Sequence, residues 1–301
     1  MITALSVNIP EKSEGFKRLT NRLRRDKVEV CVSRARGVSL RHITYTSYSG
    51  EVRLDRADNL IGAQRSQLLC SEKLVFPLRS GYRRFSSSSF SSRLCSNMAL
   101  EVLRACPSAA ALRCGMFDPH ALAADWLLRS LACCINPIVV TDNNEIYSLA
   151  RERALEELGA SITLTKSRTE LESCDFLLAP SGIREPLCLH PGVIVLTAGK
   201  PSAPIGGEIY YHYNFRMPNG FDTIKPAELS EEYFCSALYT LGAQYELGSI
   251  VPLSCSGQYC SQTVKSLAML LDNRAKKAYN KYVIVLVNQS GTPLYKQEAN
   301  L

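Results

Sequence analysis

A chain of 301 residues and 33.3 kDa, 46% apolar and 21% charged, is long enough for about two domains and has a globular composition, which excludes a disordered tail, a collagen or a coiled-coil rod. No run approaches the roughly 20 apolar residues of a bilayer-crossing helix, the longest clean one being the strand-sized stretch 283–287, so a soluble protein is expected. The formal charge of +7 is uneven: residues 1–104 hold 19 Lys plus Arg against 9 Asp plus Glu, net +10, whereas the remainder hold 16 against 19, net −3.

The opening stretch MITALSVNIPEKSEG has neither the positive start nor the apolar core of a secretory signal. Twelve cysteines without a CxxC are too sparse for a disulfide scaffold, and no four of them are spaced as zinc ligands. A reduced, cytoplasmic setting is therefore expected, with Cys31, Cys114 and Cys235 acting as small hydrophobes.

The first predicted element is a basic amphipathic helix in FKRLTNRLRRDK. Phe16, Leu19 and Leu23 recur at helical spacing while Arg18, Arg22 and Arg25 form another face. It is a candidate surface for an acidic partner, nucleic acid or anionic lipid, against the plainer reading of a solvated helix face. Residues 28–54 read as a small sheet or hairpin, with a Ser49–Gly50 turn leading into EVRL. Residues 57–89, ending in a serine run, read as a surface linker. Leu94, Met98 and Val102 then mark one stripe of a helix, after which a domain boundary is placed near residue 107.

From Ala109 strands and helices alternate. ALRCGMF is a strand, and Asp118 with Pro119 reads as N-cap and first turn of a helix continuing through ALAADWLLRSLACC. PIVVTD is a second strand. The next segment predicts a helix whose apolar face holds Ile146, Leu149, Ala150, Ala154, Leu155 and Leu158, stopped by Gly159. SITLT, DFLLAP and GVIVLTAG are further strands, with a short helix in SRTELESC. Their continuous apolar runs suit a sheet covered on both faces, and a β-α-β series at this spacing predicts a parallel, doubly wound sheet with right-handed crossovers. On this element order residues 109–200 resemble the Rossmann-like superfamily of nucleotide- and dinucleotide-binding domains, and the resemblance implies a fold more than an activity.

The expected fold is thus α/β: a smaller basic α+β N-terminal domain over 1–107, a Rossmann-like domain over 108–255, and a C-terminal extension over 256–301. In the later part, EIYYHYNFRM reads as extended. Ser230 caps a helix that carries Tyr233, Ala237 and Leu241 on one face, SQTVKSLAMLLDN is a further helix, and YVIVLV a last strand.

Ligands of doubly wound sheets bind beyond the C-terminal ends of the strands. That rule selects Asp118 and His120 after the first strand, Asp142 after the second, Ser181 and Gly182 after the fourth, and Gly199 and Lys200 after the fifth. Asp142 matches the acid that grips a ribose hydroxyl in dinucleotide sites, or else is a helix cap, which makes NAD(P) a candidate cofactor. Against it, the first turn has a single glycine, Gly115, and sets the carboxylate of Asp118 where phosphate would lie. His120 is a candidate acid or base and Lys200 a candidate anion ligand, each with the alternative of an ordinary surface residue. No P-loop, GxSxG or HExxH motif occurs, and the histidines at 42, 120, 190 and 212 form no metal pair. Two functions stay open: binding of a nucleotide or small anionic metabolite at the strand ends, with oxidoreductase or transferase chemistry conceivable there, or a noncatalytic scaffold or regulatory protein with a degenerate nucleotide site.

Overall fold

The computed structural model describes residues 1–10, 25–48, 50 and 52–281. In chain order the elements are β1 (Ile2–Asn8), β2 (Lys27–Ala35), β3 (Val38–Thr46), α1 (Asp58–Ile61), β4 (Leu69–Cys70), α2 (Ser89–Ala105), β5 (Cys114–Phe117), α3 (Ala124–Ser130), β6 (Ile138–Val140), α4 (Asn144–Leu158) and β7 (Thr163–Thr165). There follow β8 (Phe176–Ala179), β9 (Ile194–Thr197), β10 (Glu208–Tyr210), β11 (His212–Asn214), α5 (Glu231–Thr240), β12 (Ser254–Ser256), β13 (Ser261–Thr263) and α6 (Val264–Lys281). The basic helix expected around Arg18 and Arg22 and the strand expected at YVIVLV lie outside the described residues.

Two compact units divide the chain, Met1–Asn97 with Tyr213–Leu253, and Met98–His212 with Ser254–Leu301. The cut falls within α2, and residues 213–253, which the sequence reading assigned to the Rossmann-like domain, group with the N-terminal region. The reason is visible in their contacts. Phe215 meets Phe90 edge-on at 5.4 Å, the Asn97 amide donates to the carbonyls of Gly248 and Ile250 at 2.8 and 2.9 Å, and the Tyr233 hydroxyl donates to the Phe85 carbonyl at 3.1 Å.

In the first unit the strands run in the order β2-β3-β1-β4. The hairpin is present and turns at Arg36–Gly37, both with positive φ; Ser49 and Glu51 of the turn into EVRL lie outside the described residues, and Leu54–Arg56 is a 3-10 turn. β1, unread in the sequence, is parallel to β3 from Ile2 opposite Leu40 to Asn8 opposite Thr46, and β4 from the expected linker pairs with β1. Leu5, Ile43, Tyr45, Ile61, Leu68 and Tyr82 form its core. Cys31 is exposed, contrary to expectation, because β2 is an edge strand with little covering it; Cys114 and Cys235 are buried as expected.

The second unit holds six parallel strands in the order β10-β9-β8-β5-β6-β7. Numbering these six strands from β5 gives 3-2-1-4-5-6 read from the β7 edge, the Rossmann arrangement. The central β5, β6, β8 and β9 are buried at every residue, as their unalternating runs require. Gly115 lies inside β5 rather than in a ligand turn, and a Cβ there would come within 2.7 Å of the Cys174 sulfur and 2.8 Å of a Leu171 methyl. Helix α4 ends at Gly159 in the left-handed region as predicted, and of its expected face Ala150 and Ala154 are buried, joined by Tyr147. Ile146, Leu149, Leu155 and Leu158 are 42–68% exposed. Small residues bring the helix close to the sheet, and the larger aliphatic side chains are left on its flanks.

Candidate functional site

The crossover from β5 goes to β6 on one side, and the later strand β8 lies against β5 on the other, so the crevice where ligands of such sheets bind opens between β5 and β8. Asp118 is the first residue beyond β5 and is fully buried. Its carboxylate accepts from the Ala123 backbone N–H at 2.9 Å, from the Tyr147 hydroxyl at 2.6 Å and from the Ser181 hydroxyl. Pro119 therefore does not begin the helix. Residues 119–123 instead loop back over the carboxylate, with Ala121 at φ 54°, and α3 starts only at Ala124. Three donors hold the negative charge in place of water, which is what a buried carboxylate requires.

Tyr147 completes this group from the buried face of α4. Burial, then the charge of Asp118 and the hydrogen bond to it, push the phenol far above its ordinary value of 10.0, so it stays a donor. Sequence reasoning missed Tyr147 because the aliphatic residues beside it suggested another helix face. The available signal was the spacing of Tyr147, Ala150 and Ala154, one aromatic and two small residues on one side of the helix.

Ser181 is half-buried, and Gly182, at φ 76°, donates to the Ala179 carbonyl at 3.0 Å to close the turn after β8. Ser181 thus meets Asp118 across the crevice, and Gly182 shapes the turn that carries it. His120 is exposed, with no hydrogen-bond or ion-pair partner among the described residues. Asp142 is also exposed and unpaired among the described residues, two positions beyond the end of β6. It is not the helix cap: that position falls to Asn143, whose side chain makes no capping bond.

Gly199 and Lys200 belong elsewhere. The Gly199 carbonyl accepts from the buried Thr197 hydroxyl at 3.3 Å, and Lys200 opens onto a cleft of about 380 Å³ none of whose lining residues belongs to the Asp118 group. On one side are Ile205, Glu208 and Ile209 of the β10 edge; on the other the β12–β13 turn brings Tyr259 and Cys260. Glu208 is held by Arg274 of α6 and accepts from the Tyr210 hydroxyl at 3.1 Å. Tyr210 is fully buried, and burial, with the neighbouring Cys260 and Glu208, raises its phenol well above 10.0. Neither Glu208 nor Arg274 stood out in the sequence, because they lie 66 residues apart and only the fold joins them.

Among the described residues no group of three or more His, Cys, Asp or Glu side chains could hold a metal, and no helix is long and apolar enough to cross a membrane. No protein-family model and no curated protein matches the chain. Among solved structures it is similar to the Δ(1)-pyrroline-2-carboxylate reductase of Thermococcus litoralis in complex with NADH and L-proline, at 11% identity over 87% of this chain and 90% of that one, with a TM-score of 0.28. It is similar also to the L-tryptophan dehydrogenase of Nostoc punctiforme, at 10% identity over 93% and 82%, with a TM-score of 0.27. Likeness at these scores bears on neither site nor chemistry, and the Rossmann-type fold of the second unit stands on its own strand order.

Proposed function

We propose that the second unit binds a nucleotide-class ligand at the C-terminal ends of its strands, with the Asp142 carboxylate accepting from a ribose hydroxyl. The observation that carries this reading is an exposed, unpaired acid just beyond the second strand of a sheet in the 3-2-1-4-5-6 order. The closed group around Asp118 shapes the ligand. It fills the place beside the first crossover where a dinucleotide sets its diphosphate, and it does so with a negative charge whose donors are already used. A nucleoside or a ligand with its phosphate directed away from Asp118 fits better than NAD(P). The same closed group also favours a second reading, a noncatalytic scaffold that keeps the sheet without a phosphate site.

Thermal unfolding against NAD(H), NADP(H), adenine and guanine nucleotides and S-adenosylmethionine separates the two. A ligand at a hundred times its dissociation constant stabilises by about 2.7 kcal/mol, which moves the midpoint by several degrees. A shift that Asp142→Ala abolishes supports the strand-end site. No shift with any of them favours the scaffold.

A further inference from the structure

The Lys200 cleft carries an exposed positive charge, whereas the charge in the Asp118 crevice is a buried carboxylate already held by three donors. Two full charges line it, the Lys200 ammonium and the Glu208 carboxylate. Glu208 is already answered by the Arg274 guanidinium, which also donates to the Gly192 carbonyl, and by the Tyr210 hydroxyl. Lys200 makes no ion pair among the described residues. What remains is one unanswered cation at a pocket whose other walls are largely apolar, among them Pro204, Ile205 and Ile209, with Tyr259 91% exposed at the mouth. Its volume lies in the lower part of the range of about 300–1,000 Å³ typical of small-molecule sites.

The cleft is built rather than incidental. Gly257 begins the β12–β13 turn and donates to the Cys260 carbonyl at 2.9 Å, and the Tyr211 N–H beyond β10 donates to the Ser256 carbonyl at 3.0 Å. A Cβ on Gly257 would collide with the Ile209 carbonyl oxygen, so glycine is what lets the turn lie directly against β10 and form the far wall.

We propose that this cleft binds a small carboxylate with an apolar or aromatic body, the carboxylate paired with Lys200 and the body lying between the β10 edge and Tyr259. The proposal rests on the strand-end reading only for its location, beyond β9, and needs neither Asp142 nor a nucleotide. Because the anion is met by a single ammonium at a half-open site, the apolar body supplies the remainder of the affinity.

Cys260, half-buried in the wall, gives a direct readout. Its alkylation by iodoacetamide, followed peptide by peptide in the full chain, is measured with millimolar 4-phenylbutyrate, with the uncharged 4-phenylbutyramide and with 4-phenylbutylamine. The exposed Cys31 and Cys188 serve as internal controls. The acid is expected to slow Cys260 several-fold and to leave the controls unchanged, while the amide and amine protect weakly or not at all. Lys200→Met should lose the protection and Lys200→Arg should keep it. Equal protection by acid and amide, protection that survives Lys200→Met, or none by the acid would each overturn the proposal. A nucleotide panel without response alongside protection of Cys260 would remove the Asp142 reading and leave this one standing.

Discussion

Removing one donor from a fully buried carboxylate is costly, and Asp118 is bound by three. Tyr147→Phe should therefore destabilise the chain by about 1.5–3 kcal/mol, the usual worth of a hydrogen bond to a charged group, read from the urea midpoint. The same phenol sets a pH dependence. Its folded pKa is raised above the unfolded value of 10.0, so its contribution is complete below pH 10 and is lost as pH climbs beyond it. Stability measured between pH 9 and 11.5 should fall more gently in Tyr147→Phe than in the parent; equal slopes would mean that the phenol ionises freely when folded. Asp142→Ala, at an exposed and unpaired residue, should by contrast change stability by no more than about 0.5 kcal/mol. At this scale the sequence told where the acids lie but not their state. The strand-end rule found both Asp118 and Asp142, yet the partners that bury one and leave the other free come from α4 and the β8 turn, 29 and 63 residues from Asp118.

Among the elements, α5 begins as its sequence says, although of the expected face Tyr233, Ala237 and Leu241 only Ala237 is buried, beside Phe234, Cys235 and Leu238. The Ser230 hydroxyl accepts from the Tyr233 N–H at 3.3 Å, and Glu231 and Glu232 occupy the first turn. Ser230→Ala should cost about 0.5–2 kcal/mol in a denaturant titration, and Ser230→Asp should restore most of it. A different steric rule governs β5, where Gly115→Ala would press a methyl against Cys174 and Leu171. A loss of about 1–3 kcal/mol is expected. The central strands were legible because burial on both faces writes itself as an apolar run. Helix α4 was located correctly and its face partly so: the expected Ala150 and Ala154 are buried, but Tyr147 joins them where Ile146, Leu149, Leu155 and Leu158 were expected, because counting apolar residues favours the larger aliphatic ones. β1 and β4 escaped because a strand that pairs parallel with distant partners leaves no local turn to announce it.

For the molecule as a whole, the doubly wound sheet was readable from the order of its elements, since each crossover is local in sequence. The division into units was not. Composition and charge change near residue 107, but membership is decided by contacts such as Phe90 with Phe215 and Asn97 with Gly248, which no local pattern encodes. The single tryptophan, Trp126, is buried in α3 of the second unit, so its fluorescence reports that unit. The nucleotide-dependent shift expected at Asp142 should appear in a fluorescence-detected urea midpoint as it does on heating.

Because each unit is assembled from two separated stretches, neither is complete when the first of its stretches leaves the ribosome. At about 5–20 residues per second, the interval between making residue 97 and reaching residue 213 is roughly six to twenty-three seconds, during which the first sheet waits for Phe215 and the α5 segment. The Rossmann-type sheet is made within that interval and then awaits the β12–β13 hairpin and α6. The nascent chain is thus expected to hold both half-finished cores at once, and to acquire protease resistance in the first only after residue 253 is made and in the second only after α6 is made.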